Sequence, residues 1–223
     1  MNKNIARRYA TILFWFFVQT ALLFVSAGTI RWPWAWVMIG AYVCLLAINS
    51  FVLPREVIEE RGRKKENVKT WDRVLTGLGA IPVLGVYVVA GLDYRYGWSP
   101  GLHPGVHAIS LILFLISFML VTWSMVSNKF FSTMVRLQTE RGHAVATGGP
   151  YRFVRHPGYV GFSITSITLP LILGSLYGLI PGVISVALMV VRTALEDRTL
   201  QAELEGYAAY AKEVRYRLVP YIW

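Results

Sequence analysis

The densest chemistry in the sequence lies between Gly148 and Gly161, which reads Gly-Gly-Pro-Tyr-Arg-Phe-Val-Arg-His-Pro-Gly-Tyr-Val-Gly. Arg155 and His156 stand immediately before Pro157. Proline suits the first turn of a helix, where its missing N–H has no partner to lose, and it keeps the residue before it extended. His156 is therefore expected just outside a helix start. The free amides of that turn, beside a guanidinium and an imidazole, would welcome an anionic group. Gly148 and Gly149 permit unusual backbone angles, and Gly158 and Gly161 permit close approach by a helix or a ligand. An interfacial anchor at a helix end would use the same residue types. A second cluster shifts the balance. Arg192 and Glu196 are four apart and so share one face of a helix. Alone they would be a local ion pair worth about 0.2–0.5 kcal/mol. If the chain between folds back on itself, the two clusters meet, and ionisable groups converging at a membrane mark a site.

The rest of the sequence supplies that membrane. Of 223 residues, 55% are hydrophobic and 15% charged, against roughly 45–50% and 25% in soluble domains. The apolar residues fall into long blocks, which excludes both an ordinary soluble domain and a disordered chain. Four spans of crossing length are predicted, over 9–28, 33–53, 74–92 and 106–127. A tight hairpin follows, with a short first arm over 159–173, interrupted by Pro170, and a longer second arm over 176–195. The fold class expected is an all-α polytopic helical membrane bundle of five to six membrane helices. We divide it into a four-helix region, 1–127, and a chemistry-bearing region, 128–223. The tail over 196–214 has helical spacing and is expected to extend the last membrane helix. Segment 54–72 is expected as a charged helix and loop.

The net charge of +10 is distributed between the hydrophobic blocks. That pattern suits a membrane surface and not a nucleic-acid groove. Of the 22 Lys and Arg, 20 lie in the N-terminus, in 54–73, in 129–155 and from Arg192 onward; only Arg31 and Arg95 fall in the alternate connections. The positive-inside rule then puts both termini and the basic loops on the cytoplasmic side. Trp32, Trp34 and Trp36 are expected as anchors at the opposite interface. Cys44 is the single cysteine, so neither an intramolecular disulfide nor a cysteine-based metal site is expected. His103 and His107, near the opposite face, are read as loop residues and not as metal ligands.

The stretch from Gly149 to Gly161, with its Arg-His-Pro-x-Tyr-x-Gly core at Arg155 to Gly161 and an acidic pair about 35 residues later, closely resembles the isoprenylcysteine carboxyl methyltransferase family of membrane enzymes. The likeness covers roughly the last 95 residues, including Tyr207, Tyr210 and the Arg217-Leu-Val-Pro220 tail. More distantly, the region is similar to phospholipid N-methyltransferases. The resemblance implies an S-adenosyl-L-methionine pocket lined by Gln138, by His143, Ala144, Val145 and Ala146, by Tyr151, by Arg155, His156, Pro157, Gly158 and Tyr159, and by Glu196 and Asp197. Arg192 would face the lipid's reacting group, with Arg192 and Glu196 as the catalytic pair. The acidic pair is often Glu-Glu in the family and here is Glu196-Asp197.

The cofactor's ammonium needs acceptors, which Glu196 offers. Its carboxylate needs donors, which His156, Arg155 or helix-start amides offer. Tyr151 and Tyr159 can pack on the adenosyl part or face the sulfonium. A lipid carboxylate is already ionised at neutral pH and needs no base, whereas an amine acceptor would; Arg192 favours the carboxylate. The expected activity is methylation of a lipid or prenylated substrate entering from the bilayer, at the cytoplasmic side of a bacterial or archaeal inner membrane or the endoplasmic reticulum. Three alternatives are a phospholipid amine N-methyltransferase, an NADPH-dependent reductase similar to the membrane sterol reductases, and a non-catalytic membrane scaffold.

Overall fold

In hydrocarbon every backbone N–H and C=O must be satisfied within the chain, so long apolar blocks fold as helices. The computed structural model describes residues 2–64 and 66–223. Lys65, one of the seven basic residues in 54–73, lies outside the described residues. The chain forms α1 (Lys3–Ala27), α2 (Pro33–Val52), α3 (Arg55–Gly62), α4 (Thr70–Tyr96), α5 (Pro104–Val126), α6 (Pro157–Ile172), α7 (Leu179–Glu203) and α8 (Tyr207–Glu213), with no strand among the described residues. Five of these helices, α1, α2, α4, α5 and α7, are long and apolar enough to cross a membrane. Their outward faces carry apolar side chains such as Phe17, Phe51, Ile81 and Ile109, as lipid contact requires. The architecture is the expected polytopic helical bundle.

Helix α6 has 16 residues, about 24 Å at 1.5 Å per residue. Short as it is, it travels from the face bearing the termini and basic segments, called here the basic face, to the far one. Just past its C-terminus Ser175 Oγ donates to the Asp93 carboxylate near the end of α4, and the Leu176 amide donates to Ser99 Oγ at 2.9 Å. Close packing fixes its course. A Cβ on Gly161 would stand 2.5 Å from Val121 Cγ2 and 2.7 Å from the Ser117 carbonyl oxygen of α5, so only glycine admits this approach.

Three expectations are corrected. The tail does not simply prolong the last membrane helix: α7 ends at Glu203, Leu204 is extended and Gly206 is left-handed with φ 79°, and α8 starts afresh. Trp32 is a core residue and not an interfacial anchor, buried and stacked on Tyr94 at 4.2 Å. Trp34 stacks on His107 at 4.5 Å, and Trp36 is exposed. His103 is in the loop before α5, as expected, and caps the helix start, whereas His107 lies on α5 itself, buried with Nδ1 2.8 Å from the Ile172 carbonyl oxygen.

Candidate active site

Pro157 opens α6 with His156 at its N-cap. The residues before it are held by the C-terminal tail, since the Arg155 amide donates to the Tyr216 carbonyl at 2.9 Å and the His156 amide to that of Arg217 at 3.0 Å. Beneath this seam lies Asp197 of α7, fully buried. Arg155 grips it bidentately, Nε to Oδ1 at 2.7 Å and a terminal nitrogen to Oδ2 at 3.0 Å. Arg217 Nε at 2.8 Å, Gln201 at 2.8 Å and the Tyr207 hydroxyl at 3.0 Å also donate to it, and His156 Nε2 is 3.4 Å away. The remaining terminal nitrogen of Arg155 donates to the carbonyls of Val214 and Arg215 at 2.7 and 2.8 Å, at the carbonyl end of α8, where a cation suits the helix dipole. Burial, then the Asp197 charge, raises the Tyr207 phenol's pKa and keeps it a donor.

This knot forms one wall of a cleft at the basic face. The cleft is lined by Asn128, Phe130, Phe131, Arg136, His143, Ala144, Val145, Ala146, Tyr151, Arg155, His156, Gly158, Tyr159, Glu196, Leu200, Tyr207 and Tyr210, among others. The His156 and Tyr159 rings are stacked, 5.7 Å between centroids and 3° from parallel. The Tyr159 hydroxyl donates to Glu196 Oε2. Tyr151 takes a hydrogen bond from Asn128 at 3.2 Å and its carbonyl takes one from the Tyr210 hydroxyl at 2.7 Å. Burial, then the charges of Arg136 and Arg141, pushes the His143 imidazole down to about 4, so it is neutral at pH 7. Its Nδ1 accepts from the Gln138 amide at 3.3 Å, which leaves Nε2–H as a donor.

A second, apolar cavity of about 510 Å³ lies inside the helical bundle, lined by side chains of α1, α2, α4, α5, α6 and α7 such as Trp15, Leu84, Leu169 and Met189. Its volume is in the range of small-molecule sites. Arg192 is at one end. Its guanidinium lies over the Tyr159 ring, 5.4 Å from the centroid; Tyr159 lines the cleft and Arg192 the apolar cavity. Arg192 is held by buried Asp72 at the start of α4, Nε to Oδ1 at 2.8 Å and a terminal nitrogen to Oδ2 at 3.2 Å, and by the Thr133 carbonyl at 3.1 Å. Among the described residues its hydrogen-bond partners do not include Glu196.

Residues 109–202 match the model of the isoprenylcysteine carboxyl methyltransferase family. That stretch, from α5 through α7, is a domain of this family. No curated protein matches the chain. The matched segment, 94 of the 223 residues, supports a membrane methyltransferase of the isoprenylcysteine carboxyl type, and the cleft lies largely within or beside that segment. Of the expected cofactor residues, His143, Ala144, Val145, Ala146, Tyr151, Arg155, His156, Gly158, Tyr159 and Glu196 line one cleft. Gln138, Pro157 and Asp197 are buried behind it. Gln138 donates to the Phe130 carbonyl at 2.6 Å and accepts from Arg141, Pro157 packs in the first turn of α6, and Asp197 is the centre of the knot. Arg155 borders the cleft, but its guanidinium is committed to Asp197 and α8. Sequence reasoning missed Asp72 as the residue that aims Arg192, and Arg136 and Asn128 as lining residues. The Trp71-Asp72-Arg73 run was the only signal for the first.

Proposed function

We propose that the chain transfers a methyl group from S-adenosyl-L-methionine to the carboxylate of a lipid or prenylated molecule that enters from the bilayer. One observation carries this reading: Tyr159, which lines the polar cleft and donates to Glu196, lies under the guanidinium of Arg192, which lines the apolar intramembrane cavity. The cleft's donor set fits the cofactor. Glu196 is an acceptor for the ammonium. His143 Nε2–H is a donor for the carboxylate, as is Arg136, whose buried Nε has no hydrogen-bond partner among the described residues. Tyr151, Tyr159 and Tyr207 offer ring faces to the adenosyl part and the cation.

When bound, the cofactor supplies an electrophilic methyl on a sulfonium. The residues' part is alignment and exclusion of water, the main needs of an in-line displacement. The Tyr159 hydroxyl fixes the Glu196 carboxylate toward the cleft. Asp72 fixes the Arg192 guanidinium at the end of the apolar cavity, where it orients an oxyanion without moving a proton. We assign the basic face to the cytoplasm from the distribution of Lys and Arg.

With the purified protein in detergent, Glu196→Ala and Arg192→Ala are each expected to lower transfer of labelled methyl to a lipid extract by at least about 10²-fold, the scale of a lost transition-state donor. S-adenosylhomocysteine is expected to bind in preference to NADPH. Unchanged turnover in both variants, or the reverse ligand preference, would sink the proposal.

A further inference from the structure

A third cavity, of about 160 Å³, lies at the basic-face end of α1, α2, α3 and α5. It abuts the apolar cavity along Tyr42, Phe118, Val121 and Phe162, which line both. Two arginines line it, Arg8 on α1 and Arg61 on α3. They are brought together by the closest helix contact in this region. A Cβ on Gly62 would stand 1.9 Å from the Asn4 carbonyl oxygen and 3.0 Å from Arg8 Cβ. Among the described residues neither guanidinium has an ion-pair partner, and the buried Nε of Arg61 has no hydrogen-bond partner. Arg61 instead lies over the Phe131 ring at 5.4 Å. Burial, then the positive charge of Arg8, with Arg192 further on, holds Arg61 down at about 9. That is the mark of a cation lacking a counter-ion. Nearly every other arginine in the interior has a carboxylate: Arg155 and Arg217 have Asp197, Arg192 has Asp72, Arg136 has Glu60.

We propose that Arg8 and Arg61 form an anion site that receives the carboxylate of a membrane lipid, its chain in the adjoining apolar cavity, before that carboxylate passes to Arg192; naming that lipid the methyl acceptor rests on the function proposed above. The depth fits a lipid: Arg8 is within two turns of the start of α1, and Asn49 and Ser50, also lining the cavity, are in the last turn of α2. The distance from the chemistry fits as well, since Phe131, under Arg61, is itself a wall of the cleft. Methyl transfer would convert the carboxylate to an ester and the sulfonium to a thioether, with no proton moved. The ester carries no charge, so neither guanidinium recaptures the product and it is free to leave.

The test uses the full chain in detergent and a matched pair of probes, oleate and methyl oleate, followed by native mass spectrometry. The wild-type protein is expected to retain oleate about tenfold or more better than methyl oleate, the effect of one charge-assisted contact. Arg61→Gln and Arg8→Gln should each erase that preference, and Arg61→Lys should keep most of it. Arg8→Gln, on another helix, serves if Arg61→Gln does not fold. Equal retention of the two probes by the wild-type protein, or an intact preference in both glutamine variants, overturns the proposal. Displacement of oleate by millimolar acetate overturns the lipid assignment. Binding of S-adenosylhomocysteine is measured alongside. Loss of that binding with the oleate preference intact would count against the proposed reaction and leave the anion site standing.

Discussion

Two groups of arginines border the same corner of this protein and are treated in opposite ways. Arg155 and Arg217 meet a carboxylate, Asp197, that is saturated by five neighbouring side chains and completely removed from solvent. Arg8 and Arg61 line one cavity, Arg61 over the Phe131 ring, with no carboxylate partner among the described residues. Desolvating a charge is tolerated only where partners replace water. The first group is compensated inside the chain and therefore holds the fold. The second is compensated from outside, by what it binds.

The largest effect is expected where compensation is complete. Asp197→Ala leaves two guanidiniums uncompensated and should cost about 3–5 kcal/mol, read as loss of folded protein in a detergent thermal-unfolding assay. A drop below about 1 kcal/mol would mean that the knot is ornamental. The opposite change sharpens the contrast: Asn49→Asp places a carboxylate in the cavity of Arg8 and Arg61. It should raise Tm by about 2–4 °C, equivalent to about 1 kcal/mol in a chain of this size, while abolishing oleate retention. A lower Tm with retention unchanged would show that these arginines are already satisfied.

His143 gives a pH-dependent prediction. Its folded-state pKa is about 4, below the usual value of 6.5, so the unfolded chain binds more protons between those values. Stability contributed there is fully present above pH 6.5 and is lost as pH falls toward 4. His143→Gln should flatten that part of the Tm profile; an unaltered slope would show that the ring is accessible to protons in the fold. The smallest effect is expected at the far edge of the same face. Lys69 pairs with Glu203 at 2.6 Å, but both are substantially solvated, and Lys69→Ala should cost about 0.2–1 kcal/mol or less.

The membrane helices were legible in the sequence because hydrocarbon thickness sets a length that composition alone must fill, and α1, α2, α4 and α5 differ from the expected spans mainly at their ends. The core of the site was legible because Pro157 fixes where α6 begins, and so where His156 and Tyr159 stand. What was not legible depends on distance in sequence. Arg192 is 120 residues from Asp72, and its near neighbour Glu196 looked the more natural partner. Asp197 looked like a cofactor ligand because nothing local announces that Arg155, Tyr207 and Arg217 all converge on it. In the sequence Arg8 and Arg61 are only two of the basic residues that set the membrane orientation, since their isolation appears only when Gly62 packs on the first turn of α1.

The seam between the tail and the residues preceding α6 bears on biogenesis. The Arg155 amide and guanidinium wait for partners at Val214, Arg215 and Tyr216, about sixty positions downstream. At roughly 5–20 residues per second, the ribosome delivers them several seconds after the motif itself has emerged. During that interval α6 and α7 must insert without the knot that later joins them. The cleft is thus among the last parts of the nascent protein to mature, and premature chain termination shortly before Val214 would yield a membrane-inserted product in which it never closes.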